Sequence, residues 1–150
     1  MKSVFNLKDC QQVIERINQL GSDTKANWGK MNVSQMLAHC NVTYELVYTN
    51  LHPKPNLVMK FIVKLMAKST VVGDKPYKKS LQTAPMFIIK DEKDFEVEKK
   101  RLIEHLEQTQ QLGESHFEGK ESHSFGVLSK EEWNNMFYKH LDHHLSQFGV

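Results

Sequence analysis

Apolar residues recur every three or four positions along most of this chain, the spacing of helices that bury one side. Val13, Ile14, Ile17 and Leu20 form the first stripe and Gly21 stops it, predicting a helix over about 8–20. Asn32 and Gln35 match a capping box, so a second helix starts there and reaches about Thr49. Pro53 bars it from running much further. Leu57, Phe61, Ile62, Leu65 and Met66 predict a short amphipathic helix over about 55–68, with Lys60, Lys64 and Lys68 sharing one of its faces. A long helix over about 91–111 turns Phe95, Leu102, Ile103 and Leu106 inward, and Gly113 closes it. Ser129 and Glu132 form a second capping box, opening a last helix that runs to about Phe148. Strand-like alternation is scarce. The expected fold is all-α, a four-helix bundle with an extra short lysine-rich helix, in one domain spanning residues 1–150.

The last helix has an unusual interior face. Trp133, Phe137, His140, His144 and Phe148 follow one another at spacings of 4, 3, 4 and 4, a continuous stripe with large aromatics at both ends. His140 and His144 therefore stand where the pattern asks for apolar residues. At i, i+4 they project the same way, so their imidazoles can converge on one ion. His143 lies roughly 60° of rotation off that stripe and suits a pocket wall. Asp142 points nearly away from His140. On the second helix, Met36, His39, Thr43 and Leu46 form another stripe, which places His39 on a mostly apolar face. Three interior imidazoles each need a hydrogen-bond partner or a metal. Three histidine ligands leave a coordination position open, the catalytic rather than the closed structural arrangement. His52, His105 and His116 read as exposed, and His123 sits in the loop before the last helix, too far along the axis to join His140.

Composition narrows the partners. The balance of 39% hydrophobic and 25% charged residues is that of a soluble globular chain, and a net charge of +2 selects no partner. Residues 53–80 hold seven lysines against Asp74, whereas 91–132 carry the opposite bias. Those lysines could contact nucleic acid or an anionic membrane, but with no arginine, few aromatics and a balancing acidic segment after them, a solvated face is expected rather than a docking site. The start, MKSVFNLKDC, has no apolar signal-peptide core, and LVMKFIVKLMA is too short and too interrupted to span a bilayer. Cys10 and Cys40 lack metal or redox spacing, so a reduced, cytoplasmic protein is expected. No phosphate loop, dinucleotide fingerprint or Ser-His-Asp order is present.

The segments NWGKMNVSQMLAHC and FGVLSKEEWNNMFYKHLDHHLSQFG resemble the metal motifs of the DinB/YfiT-like superfamily, in particular a domain-of-unknown-function branch of it. Members are four-helix bundles with one histidine on the second helix and an H-x-x-x-H pair near the C-terminus. The resemblance implies metal ligands at His39, His140 and His144. It also implies metal-dependent chemistry with low-molecular-weight thiols, as in the thiol S-transferases and a thiol-dependent isomerase of that superfamily. Such proteins often carry a His-Pro-like element before the Phe-Gly of the last loop. Here the loop reads Ser122-His123-Ser124-Phe125-Gly126, a departure from that pattern.

Two functional classes follow. One is an enzyme in which Zn or Ni bound by the three histidines activates a thiol or water against a small-molecule substrate. Tyr44, Tyr138, His143 and Gln147 are its candidate pocket residues. The other is a non-catalytic binding module with a structural metal or none. A homodimer through the apolar face of residues 55–68 is compatible with both, as is packing of that face within the chain.

Overall fold

The computed structural model describes every residue except Gln82. Among the described residues it is mostly helical, with α1 (Leu7–Asn18), α2 (Val33–Tyr48), α3 (Leu57–Val72), α4 (Phe95–Leu112), α5 (Glu114–Phe117) and α6 (Lys130–Gln147). Local signals start each long helix. Asn6, Asn32, Asn56, Asp94 and Ser129 each accept a bond from a backbone N–H of the first turn, satisfying donors that the helix itself cannot. Both capping boxes are formed, Asn32 with Gln35 and Ser129 with Glu132. Gly113 ends α4 with φ +73°, a conformation a Cβ would strain.

Helices α1, α2, α4 and α6 close a ring, because α1 and α2 each pack against both α4 and α6. The stripes meet inside it: Val13 and Ile17, Met36 and Leu37, Leu102 and Leu106, Phe137 and Leu141 are all buried. One end is sealed by aromatics. Phe117 packs 5.4 Å from Trp133 and 5.5 Å from Phe137, and Phe5 packs 5.2 Å from Phe117, measured between ring centroids.

The structure departs from expectation in three places. The lysine-rich helix is not short: α3 has 16 residues, as many as α2, and lies outside the ring against α6. Residues 121–127 form a small hairpin, with Glu121–Ser122 paired antiparallel to Gly126–Val127. Ser122 stabilises its turn by donating to the Gly126 carbonyl (2.9 Å) while accepting from the Phe125 N–H (2.9 Å). Between α3 and α4, a 3-10 turn at Pro85–Phe87 returns to contact α2.

Candidate metal centre

The mid-section of α2 supplies His39, and one turn of α6 supplies His140 and His144. One ligand atom from each lies within 4.8 Å of the others. His39 and His144 are buried and His140 is partly so. The three rings pack mutually, with centroids 4.5–4.9 Å apart.

Each Nδ1 faces an oxygen. His39 Nδ1 donates to the Phe87 carbonyl at 2.8 Å, and His144 Nδ1 to Gln147 Oε1 at 2.8 Å. His140 Nδ1 meets Thr43 Oγ1 at 3.0 Å. A carbonyl only accepts, so His39 and His144 carry their protons on Nδ1 and present Nε2 lone pairs inward. His39 Nε2 lies 2.9 Å from His140 Nε2, and two lone pairs repel at that range. At these distances a proton on His140 Nε2, with Nδ1 accepting from the Thr43 hydroxyl, satisfies both contacts.

Burial favours the uncharged rings. It is the main cause that holds His140 well below the ordinary imidazole range, with the neighbouring histidines adding to it. His144 is pushed down to about 3 by burial and then by His39. His39 is lowered by burial against the opposing effect of its Phe87 bond. At neutral pH all three are neutral donors, the form that binds metals. Two imidazole nitrogens on one tetrahedral ion lie about 3.4 Å apart, given bonds of about 2.0–2.1 Å. That falls between the 2.9 Å of the closest pair and the 4.8 Å bounding all three. The cluster could hold a metal ion.

Two loops cover it. The loop before α2 lies over the end of α6, with the Asn27 N–H bonded to the Gln147 carbonyl (2.8 Å) and Gln147 Nε2 donating to the Trp28 carbonyl (2.6 Å). Gly29, at φ +89°, permits this approach, because a Cβ there would collide with Gln147 Nε2. From the α3–α4 connection come Phe87, 5.4 Å from His39, and Tyr77, 6.4 Å from His140.

The other candidate residues are distributed unevenly. Gln147 is buried and orients His144. His143 stands at the margin, its ring 6.0 Å from Trp28 and 5.6 Å from Tyr77. Tyr138 turns toward α1, where burial and the nearby Asp142 raise its phenol. Tyr44 lies in the core, stacked between His105 (5.3 Å) and Phe137 (5.1 Å). It packs there because at that position of α2 the side chain faces α4 and α6 together. Asp142 pairs with Arg16 at 2.7 Å, away from the imidazoles.

The remaining histidines have other roles. His105 and His52 are not exposed as expected. His105 is half-buried against Asn41 Oδ1 (3.0 Å), and His52 pairs with Glu45 (2.8 Å). His123 contacts Ser124 and the His52 carbonyl within the hairpin turn, and only His116 is exposed.

Sequence reasoning missed Phe87, which acts through its backbone carbonyl and so leaves no residue-type signal. Thr43 did leave one: it shares the stripe of His39, one helical turn on. The family model described as protein of unknown function (DUF1569) matches residues 2–149. No curated protein and no solved structure matches the chain.

Proposed function

We propose, for a chain that belongs to the DUF1569 family, a metal-dependent enzyme of DinB/YfiT type in which His39, His140 and His144 bind one divalent cation. The observation that carries this reading is the common anchoring of the three rings. Every Nδ1 is held by an uncharged oxygen of Phe87, Thr43 or Gln147, while the Nε2 atoms of His39 and His140 meet at 2.9 Å and one ligand atom of each of the three rings lies within 4.8 Å of the others. Metal-bound histidines are oriented in this way, and such partners raise ligand basicity. Imidazole donors favour zinc or nickel. Bound there with a position open, the ion supplies Lewis acidity that lowers the pKa of a thiol or water.

The chain's own residues prepare that chemistry. Thr43 is a reversible partner: when the His140 proton leaves Nε2 and settles on Nδ1, the hydroxyl turns from donor to acceptor. Gln147 and the Phe87 carbonyl hold the other two rings in a single tautomer. Trp28, Tyr77 and Phe87 form apolar walls that exclude water from the cluster. His143, at the edge of those walls, is placed to bind or deprotonate a small molecule entering there. A low-molecular-weight thiol is the favoured co-substrate on the likeness to DinB-type transferases, and it deepens the reading without being required by the site.

The test is metal analysis of protein purified without chelator or a metal-affinity tag. One ion per chain is expected, with at least a tenfold loss of affinity in His39→Ala and in His140→Ala. Metal-free protein, with no affinity that either substitution weakens, overturns the proposal.

A further inference from the structure

Helix α3 is set on the bundle with its apolar side outward. Its inner edge carries Lys60 and Lys68, which pair with Glu121 (2.5 Å) and Glu132 (2.8 Å), and the partly buried Val63, Ala67 and Val71. Its C-terminal end is tied to α6. Lys139 donates to the carbonyls of Thr70 and Gly73, and Asn135 to that of Val72 (2.9 Å). These bonds fix the helix's rotation. In that rotation Leu57, Val58, Phe61, Leu65 and Met66 are 68–86% exposed. Five large apolar side chains exposed together on one helix and bordered by lysines form the kind of polar-rimmed patch that marks an interaction site. A groove of about 580 Å³, lined by Phe61, Leu65 and Val72 with Lys64, Lys68 and the Lys68-bound Glu132 among its polar residues, runs beside it.

Charge decides what covers this surface. No Asp or Glu occurs between Glu45 and Asp74, and because Lys60 and Lys68 are taken up by Glu121 and Glu132, the charge left to a partner is that of the exposed Lys54 and Lys64 beside the apolar strip and of Lys75, Lys78 and Lys79 after it. A second copy packed face to face would bring Lys54 and Lys64 of both chains together, while the neighbouring acids Glu121 and Glu132 are already engaged by Lys60 and Lys68. Lysine is also depleted from protein interfaces. An anionic lipid surface satisfies both features, since acyl chains accept the apolar strip and headgroup phosphates accept the lysines. No helix among the described residues is long and apolar enough to cross a membrane, so the mode is interfacial.

We propose that α3 docks the protein onto anionic bilayers, lying in the headgroup plane with Leu57, Phe61, Leu65 and Met66 inserted. The test is co-sedimentation with vesicles of phosphatidylcholine alone and with about one third phosphatidylserine, at low and at high salt, alongside light scattering of the free protein. Wild type is expected to partition onto the anionic vesicles at least tenfold more strongly than onto neutral ones, and less strongly at high salt. The double variant Phe61→Glu/Leu65→Glu, whose sites face water, is expected to keep its circular dichroism and lose at least tenfold in partitioning. Equal partition onto neutral vesicles, no partition, or partition unaffected by the variant overturns the proposal. So does a stable dimer that the same variant dissociates, which would assign the face to a second copy.

Discussion

Replacing Gln147 with Leu removes one buried and one part-buried hydrogen bond at once while nearly keeping the side-chain volume. His144 Nδ1–H loses its only acceptor, at 2.8 Å, and the Trp28 carbonyl loses a donor at 2.6 Å, on a residue only 4% exposed. A buried polar group left without a partner costs about 1–3 kcal/mol. The Trp28 carbonyl is only part-buried and added apolar contact returns some of the loss, so about 1–3 kcal/mol of stability should be lost. Loss of an orienting partner of a metal-binding imidazole typically weakens affinity about 10–100-fold. The first quantity is read from urea unfolding in excess chelator, the second from zinc competition against a chromophoric chelator at neutral pH. Gln147→Glu separates the two effects, because it keeps an acceptor for His144 but no longer donates to Trp28. It should share the stability loss and hold zinc at least as tightly as wild type. If Gln147→Leu is destabilised yet binds zinc within twofold of wild type, Gln147 is only a strut and the orienting argument fails.

Three further outcomes follow from the same geometry. Tyr44 buries a hydroxyl with no hydrogen-bond partner, so Tyr44→Phe should raise stability by up to about 1 kcal/mol and leave zinc affinity unchanged. A drop in affinity would return Tyr44 to the pocket. Gly29→Ala forces a side chain into a left-handed conformation and against Gln147, so it should reproduce both defects of Gln147→Leu in the same two assays. In chelator-treated protein, the depressed pKa of His39, His140 and His144 makes the unfolded chain bind protons first as pH falls below about 6.5. Their stabilising contribution is therefore full above that pH and declines below it, by up to about 1.4 kcal/mol per pH unit for each group. For His144 the decline continues down to about 3. Urea midpoints at pH 7, 6 and 5 should fall for wild type and fall less steeply for His144→Ala. Parallel slopes would contradict the buried neutral assignment.

Local chemistry wrote the helices plainly into the sequence. Capping residues act within three positions and stripes act within one or two turns, so Asn32 with Gln35 and Ser129 with Glu132 mark real helix starts. The spacing of His140 and His144 put both on one face for the same reason. The all-α bundle followed from how many such faces needed covering. What lay beyond reach depended on partners far along the chain. The Phe87 carbonyl is 48 residues from His39, and no property of a phenylalanine side chain announces a backbone acceptor. Tyr44 belongs to the aromatic core because α4 and α6 close over that side of α2, which its own stripe does not specify. The clearest case is α3. Its alternation of lysine and apolar residues is compatible with either face turned inward, and hydrophobicity alone favours burying Leu57 and Phe61. Glu121 and Glu132, brought beside it only by folding, hold its lysines against the body and leave the apolar face to the surroundings.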